Sequence, residues 1–196
     1  MPTTRRRLRS GDEVLVRPIA PDDKQRLVGA FERSSPESRY RRFFSPTSGL
    51  SAAQLRYLTE IDHHRHEALQ AIDAETNEGI GVARFVRSAD DPTVAEVAVA
   101  VVDEWQGRGV ASTLLHDLAA RAREEGIERF SASVLANNDP IMKLFRSFGD
   151  VQVTGHDHGV TELLIDLPNE GVPDALAQTV RAVARGDFIH HATDPR

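Results

Sequence analysis

Cysteine is missing altogether, which removes any disulfide framework and leaves the redox compartment unread. Lysine is nearly missing: among 24 basic residues only Lys24 and Lys143 are lysines, and the rest are arginines. No apolar run approaches the roughly 20 residues that span a bilayer, which argues against a membrane protein. The arginine-rich start, Met1 to Arg9, has no apolar stretch behind it, so it does not read as a secretory signal and the cytoplasm is favoured. Residues 1–12 read as a flexible terminus, with an anion-binding arm as the alternative. A basic footprint is lacking too. The formal net charge of −6 argues against broad nucleic-acid binding and suits a cationic partner. There is no internal repeat and no low-complexity tract. With 196 residues, 40% of them hydrophobic and 28% charged, the chain has the composition of a globular protein with one well-buried core and an appendage.

The most telling stretch that is present runs from Val97 to Leu115: an apolar strand, a turn carrying Gly107 and Gly109, then the first turn of an amphipathic helix. At such a junction several backbone N–H groups lack intrahelical partners and point at one place, where the helix dipole also favours negative charge. Glycines there let an anion approach the main chain closely. Two other phosphate-binding patterns do not fit. A G-x-G-x-x-G dinucleotide turn would need a small glycine-like residue where Ser112 stands, and Gly-Lys-Ser/Thr occurs nowhere in the chain.

Periodicity orders the rest. Glu13–Pro18 reads as a first strand, and Pro21-Asp22-Asp23 opens a helix with Leu27, Val28 and Phe31 at helical spacing. Ser35-Pro36-Glu37 reads as a cap for a second helix, with Tyr40, Phe43 and Phe44 inward and arginines outward. A third helix is expected over 52–59, with Leu55 and Leu58 inward. A hairpin follows, pairing 68–73 with 79–86 around Glu75-Thr76-Asn77-Glu78. Then come a strand over 93–102, a helix over 108–124 stopped by Gly126, a strand over 130–135, a helix over 139–148, and a closing pair at 151–153 and 160–167. Pro168 to Gly171 breaks the pattern, and 173–185 reads as helical before a loose tail.

Gln106-x-x-Gly109-x-Ala111 resembles the acyl-CoA motif of the GNAT superfamily of N-acetyltransferases, and the element order over roughly 14–167 resembles that fold. The resemblance implies an α/β (α+β) architecture: a mixed, mostly antiparallel central sheet with splayed middle strands, flanked by helices. It divides the chain into a flexible start (1–12), the acetyltransferase domain (13–168) and a C-terminal helix and tail (169–196). It implies acetyl-CoA as co-substrate, an amine acceptor as partner, and allows a homodimer. Gln106, Gly107, Arg108, Gly109, Val110, Ala111 and Ser112 would hold the pyrophosphate. Main-chain groups of Val99 and Val101 would bond the pantetheine, and Asn138, with Asn137 as rival, the cofactor arm. Arg108 could equally be a solvated helix-start arginine, and the asparagines could simply cap the helix before Pro140.

Glu96 is the expected catalytic residue. Strand alternation sets it with Ala98, Ala100 and Val102 on one face, where a carboxylate is costly unless partnered. Partial burial would suit it to act as a general base, taking the proton that an ammonium must lose before attacking a thioester. Against this stands a solvated glutamate, or one paired with Arg84 across the sheet. Phe145 occupies the position where many members of the superfamily carry a tyrosine acid, which leaves water or the acceptor amine to protonate the departing thiolate. The absence of cysteine excludes a cysteinyl acyl-enzyme. No metal site is expected: His63, His64, His66, His156 and His158 lack further ligands at recognisable spacing, although the first three could border the acceptor.

Three segments, Glu37 to Phe44, Ala95 to Val99 and the Asn138 to Met142 helix start, resemble the bacterial protein-lysine acetyltransferase branch. That resemblance implies a protein lysine as acceptor, with a small-molecule amine or a non-catalytic acyl-CoA-binding module as alternatives. Few lysines would suit a lysine modifier, though GC-rich codon usage explains them better.

Overall fold

The computed structural model describes residues 2–168. Among the described residues eight strands form one sheet: β1 (Thr4–Arg7), β2 (Glu13–Pro18), β3 (His66–Asp73), β4 (Gly79–Arg87), β5 (Val94–Val101), β6 (Arg129–Leu135), β7 (Val151–Asp157) and β8 (Val160–Asp166). Their spatial order is β1-β2-β3-β4-β5-β6-β8-β7, and every pairing is antiparallel except β5 with β6. That parallel pair is short. It aligns Val94 with Arg129, Ala95 with Phe130 and Glu96 with Ser131, then stops, so the two strands part beyond Glu96. The architecture is the mixed, mostly antiparallel sheet flanked by helices that the sequence implies.

Among the described residues five helices cover the sheet: α1 (Lys24–Glu32), α2 (Pro36–Phe43), α3 (Ala52–Thr59), α4 (Val110–Glu124) and α5 (Asp139–Phe148). Gly81 on β4 approaches Val110 of α4, and Glu67 on β3 reaches Arg121 of the same helix, so these odd-numbered positions face α4. On the opposite face Gln70 bonds Asp23 and Arg84 bonds the Leu58 carbonyl of α3. Helix α4 buries Val110, Leu114, Leu118 and Ala122 in one i, i+4 row with Leu115 and Ala119 beside it, the stripe expected of a helix laid on a sheet. Under it lie Leu69, Ala83, Phe85, Val97 and Phe130, all at or near zero exposure. Truncating a side chain as enclosed as Leu114 to alanine costs about 2–5 kcal/mol.

Two expectations need correction. Residues 4–7 are not loose: they pair with β2 along Thr4–Val16 to Arg7–Glu13, and Arg6 forks onto Asp117 of α4 at 2.6 and 3.1 Å. The run of arginines hid this strand, because edge strands are often guarded by charged side chains; the buried Leu8 follows directly after it. The aromatics of α2 do not all turn inward either. Phe43 packs on Phe31, with ring centroids 6.0 Å apart, but Tyr40 and Phe44 are exposed. The helix has only eight residues, and Phe44 leaves it in a left-handed conformation (φ 53°). The expected helix over 173–185 and the tail lie outside the described residues.

Candidate active site

The parting of β5 from β6 opens a cavity of about 490 Å3, walled by the free half of β5, the end of β6, α2 and the starts of α4 and α5. Main-chain direction along β5 follows from its neighbours. Val94 C=O and Val102 N–H bond toward the β4 side, whereas Thr93 C=O bonds toward β6. Alternation along the strand therefore aims the N–H and C=O groups of Val97, Val99 and Val101 into the gap, where no partner strand meets them. Val99 and Val101 both line the cavity.

At the far end of that strand the chain turns through Gly107 (φ 73°) and Gly109 (φ 100°), both in backbone conformations that disfavour side chains. A Cβ on Gly107 would meet nothing within 4 Å, so conformation rather than crowding demands glycine there. Gly109 caps α4 with no side-chain help, and the first ladder bond runs from Thr113 N–H to Gly109 C=O. Among the described residues none of the N–H groups from Gly107 to Ser112 has an acceptor within the chain. Six adjacent donors at a helix start form an anion cradle. Gly107, Gly109, Val110, Ala111 and Ser112 line the cavity there.

Two residues assigned to the cradle have other work. The Gln106 amide donates to Val101 C=O at 3.1 Å and to the Ser38 hydroxyl at 3.2 Å, bracing the turn against β5 and α2. Arg108 is outside the cavity lining. Its guanidinium binds Asp12 at 2.7 Å and stacks 4.2 Å from the Trp105 ring centroid, which ties the turn to the β1–β2 connection. The Ser10 hydroxyl bond, followed by the Arg108 charge and hydrogen bond, holds the Asp12 carboxyl below the usual carboxylate range.

Across the gap, Asn138 is half-buried, lines the cavity and stands at the N-cap of α5, yet its side chain makes no capping bond. Asn137 is exposed and outside the lining, so geometry separates the rivals. Phe145 is 2% exposed and closes the cavity floor.

Glu96 stands where the strands part. Its side chain is exposed rather than partly buried, because the neighbouring strand diverges and uncovers it. It lines the cavity, and among the described residues no hydrogen bond or ion pair holds its carboxylate. Arg84 does not pair with it. Arg84 aligns with Ala98, on the same face as Glu96, and its guanidinium bonds His66 Nε2 at 3.0 Å and Leu58 C=O at 3.3 Å. The nearest influence of opposite sign is Arg42, which feels the Glu96 charge. Of the other histidines, His63 binds the buried Glu67 at 2.8 Å and His64 lies 3.3 Å from Glu125. Among the described residues no three His, Asp or Glu side chains converge as metal ligands. No described helix is long and apolar enough to cross a membrane.

Comparison with known proteins fits this geometry. Residues 33–150 match the pattern of the acetyltransferase (GNAT) family. Acetyltransferase Pat of Mycolicibacterium smegmatis is 34% identical over 192 residues, covering 91% of this chain and 56% of that protein. Acetyltransferase PA5475 of Pseudomonas aeruginosa is 30% identical over 147 residues, covering 74% and 78% respectively. Among solved structures, the GNAT domain of S. lividans PAT superposes with a TM-score of 0.78 at 39% identity, covering 84% of this chain and 97% of that domain. A cAMP-binding acyltransferase from Mycobacterium smegmatis gives 0.63 at 30% identity, over 94% and 54%. The chain thus spans about half the length of the two mycobacterial relatives.

Proposed function

The chain belongs to the acetyltransferase (GNAT) family, and from that premise we propose that it transfers the acetyl group of acetyl-CoA directly to the side-chain amine of a protein lysine. The diphosphate of the cofactor lies on the donors from Gly107 to Ser112, with Asn138 bonding the arm. The pantetheine runs back along β5 against the main-chain groups of Val99 and Val101. This lay-out brings the thioester toward the point where β5 and β6 part.

Glu96 then acts as general base. The acceptor arrives as an ammonium, and the exposed carboxylate takes its proton directly or through one water. The freed nitrogen attacks the thioester carbonyl, a C–N bond forms, and the C–S bond breaks. A main-chain N–H of the unpaired β5 segment polarises the carbonyl oxygen as charge develops on it. Phe145 offers no proton, so the thiolate collects one from water or from the acceptor nitrogen. The single observation that carries this reading is the unpartnered Glu96 carboxylate opening into the same cavity as the unmet N–H donors of Gly107, Gly109, Val110, Ala111 and Ser112.

The lysine acceptor is supported by likeness to the Pat proteins and by Phe44, an exposed aromatic in the cavity lining that suits contact with a polypeptide. Labelled acetyl-CoA offered to a cell lysate beside a panel of small amines tests it. Label is expected in protein; label confined to the small-amine fraction would move the acceptor to polyamines, aminoglycosides or amino acids.

A further inference from the structure

We propose that Arg42 and Arg84 form an anion subsite beside Glu96 that takes a carboxylate adjacent to the acceptor amine; resting on the lysine reading above, that carboxylate is an acidic side chain flanking the target lysine.

The charge inventory of the cavity leads there. Its lining holds one carboxylate, Glu96, against five arginines: Arg26, Arg39, Arg41, Arg42 and Arg84. Three of the five are answered. Arg26 pairs with Asp23 at 2.6 Å and Arg41 with Glu37 at 2.6 Å. Arg39 donates to the carbonyls of Phe31 and Glu32 and lies 4.4 Å from the Phe31 ring centroid. Among the described residues neither Arg42 nor Arg84 has a carboxylate oxygen within 4.0 Å.

Arg84 is 6% exposed, and its two partners, the His66 ring and the Leu58 carbonyl, are neutral acceptors. Burial, reinforced by the Arg84 charge, pushes the His66 imidazole down to about 4, so it adds no charge of its own near neutrality. A guanidinium this enclosed with no counter-ion is held at a cost that an incoming anion relieves. Arg42 is half-buried, lies 5.3 Å from the Phe43 ring centroid, and repels Arg84. Burial draws both guanidinium groups below their ordinary range, Arg84 to about 9. Tyr57 stands beside the same cluster, its ring centroid 5.1 Å from that of His66.

Position assigns the anion to the acceptor rather than to the cofactor. Arg84 aligns with Ala98, three residues or about 10 Å along the strand from Val101, which sets this pair of arginines back from the donors that take the diphosphate. Guanidinium groups match carboxylates through two parallel N–H bonds, and a pair of them favours an acid over a neutral side chain.

The test uses three blocked peptides that carry one lysine flanked by Glu, Gln or Arg, together with free amino acids and their decarboxylated amines. Wild type is expected to favour the Glu peptide over the Gln peptide at least tenfold in kcat/KM, chiefly through KM. Arg42→Gln should erase most of that preference, and Arg42→Glu should turn it toward the Arg peptide, with the Kd for CoA held within twofold in each. Arg84→Gln should act likewise; should it fail to fold, the Arg42 pair still decides. Equal rates on all three peptides would overturn the subsite and leave the lysine reading standing. Acetylation of free amino acids but of no peptide, with each amino acid preferred over its decarboxylated amine, would overturn the lysine reading and uphold the subsite.

Discussion

The Asp103 carboxylate accepts the Ser35 N–H at 2.6 Å, joining the end of β5 to the start of α2. The same carboxylate takes the hydroxyls of Ser35 at 3.0 Å and Ser38 at 2.7 Å, and Gln106 reaches the same Ser38 oxygen. One acid thus couples the wall of the acceptor side to the turn that holds the phosphate donors. Burial pushes the Asp103 carboxyl up, but the Ser38 and Ser35 bonds outweigh it and hold it below the ordinary carboxylate range. Its stabilising effect is therefore full above the unfolded value and lost as the pH falls through the lowered folded one. Asp103→Ala should cost about 1 kcal/mol and lower the thermal midpoint by about 2–4 °C. The KM for acceptor should rise severalfold, read from calorimetry and steady-state rates. An unchanged midpoint at neutral pH would show the link to be idle.

The two glycines of the turn should differ in sensitivity. Gly107→Ala meets open space and a left-handed φ, at a cost of about 1–2 kcal/mol. Gly109→Ala must hold φ near 100° directly at the helix start, and shifting it redirects several donors at once. Titration calorimetry should find CoA bound at least tenfold more weakly by Gly109→Ala, and less affected in Gly107→Ala. The reverse order would contradict the cradle as described.

His66 makes stability depend on pH. Its folded value, pushed down to about 4 by burial and then by the Arg84 charge, lies under the ordinary 6.5. Between these values the unfolded chain binds the extra proton, so the contribution is complete above about 6.5 and is lost as pH falls toward 4. Urea midpoints at pH 7.5 and pH 5 should separate more in wild type than in His66→Gln. Equal separations would place the slope elsewhere.

Arg108 should matter less for the cofactor than its place in the motif implies. With its guanidinium on Asp12 and Trp105, Arg108→Ala is expected to change CoA affinity less than threefold while lowering thermal stability. A tenfold loss of CoA affinity would return Arg108 to the phosphate site.

Much of this was legible from residue pattern alone. The helix expected over 139–148 ends where α5 ends, and the hairpin, the strand carrying Glu96 and the glycine turn stand where periodicity and turn chemistry put them. Misreadings arose where one segment depends on a distant one. Strand β1 exists because β2 offers an edge and Asp117 offers a counter-ion, neither of which a run of arginines announces. The exposure of Glu96 depends on where β5 and β6 part, and strand alternation carries no trace of that point. Sequence reads Arg42 as an outward helix arginine and Arg84 only as a possible cross-sheet partner for Glu96. Only the register, which sets Arg84 on the face of Glu96, and the packing of α2 over β5 bring them to the cavity.

The central claim is that Glu96 removes a proton from an amine whose acetyl donor rests on the donors of the glycine turn. Release of thiol from acetyl-CoA, followed at neutral pH with and without a lysine acceptor, tests it when run beside CoA calorimetry for wild type and Glu96→Gln. Both proteins should bind CoA within twofold of each other. Acceptor-dependent release should fall about 10²–10⁴-fold in the variant, and the gap should narrow as the pH rises toward the amine's own value of about 10.4. Equal CoA binding with no thiol release from either protein on any acceptor would contradict the account and leave a non-catalytic acyl-CoA-binding module.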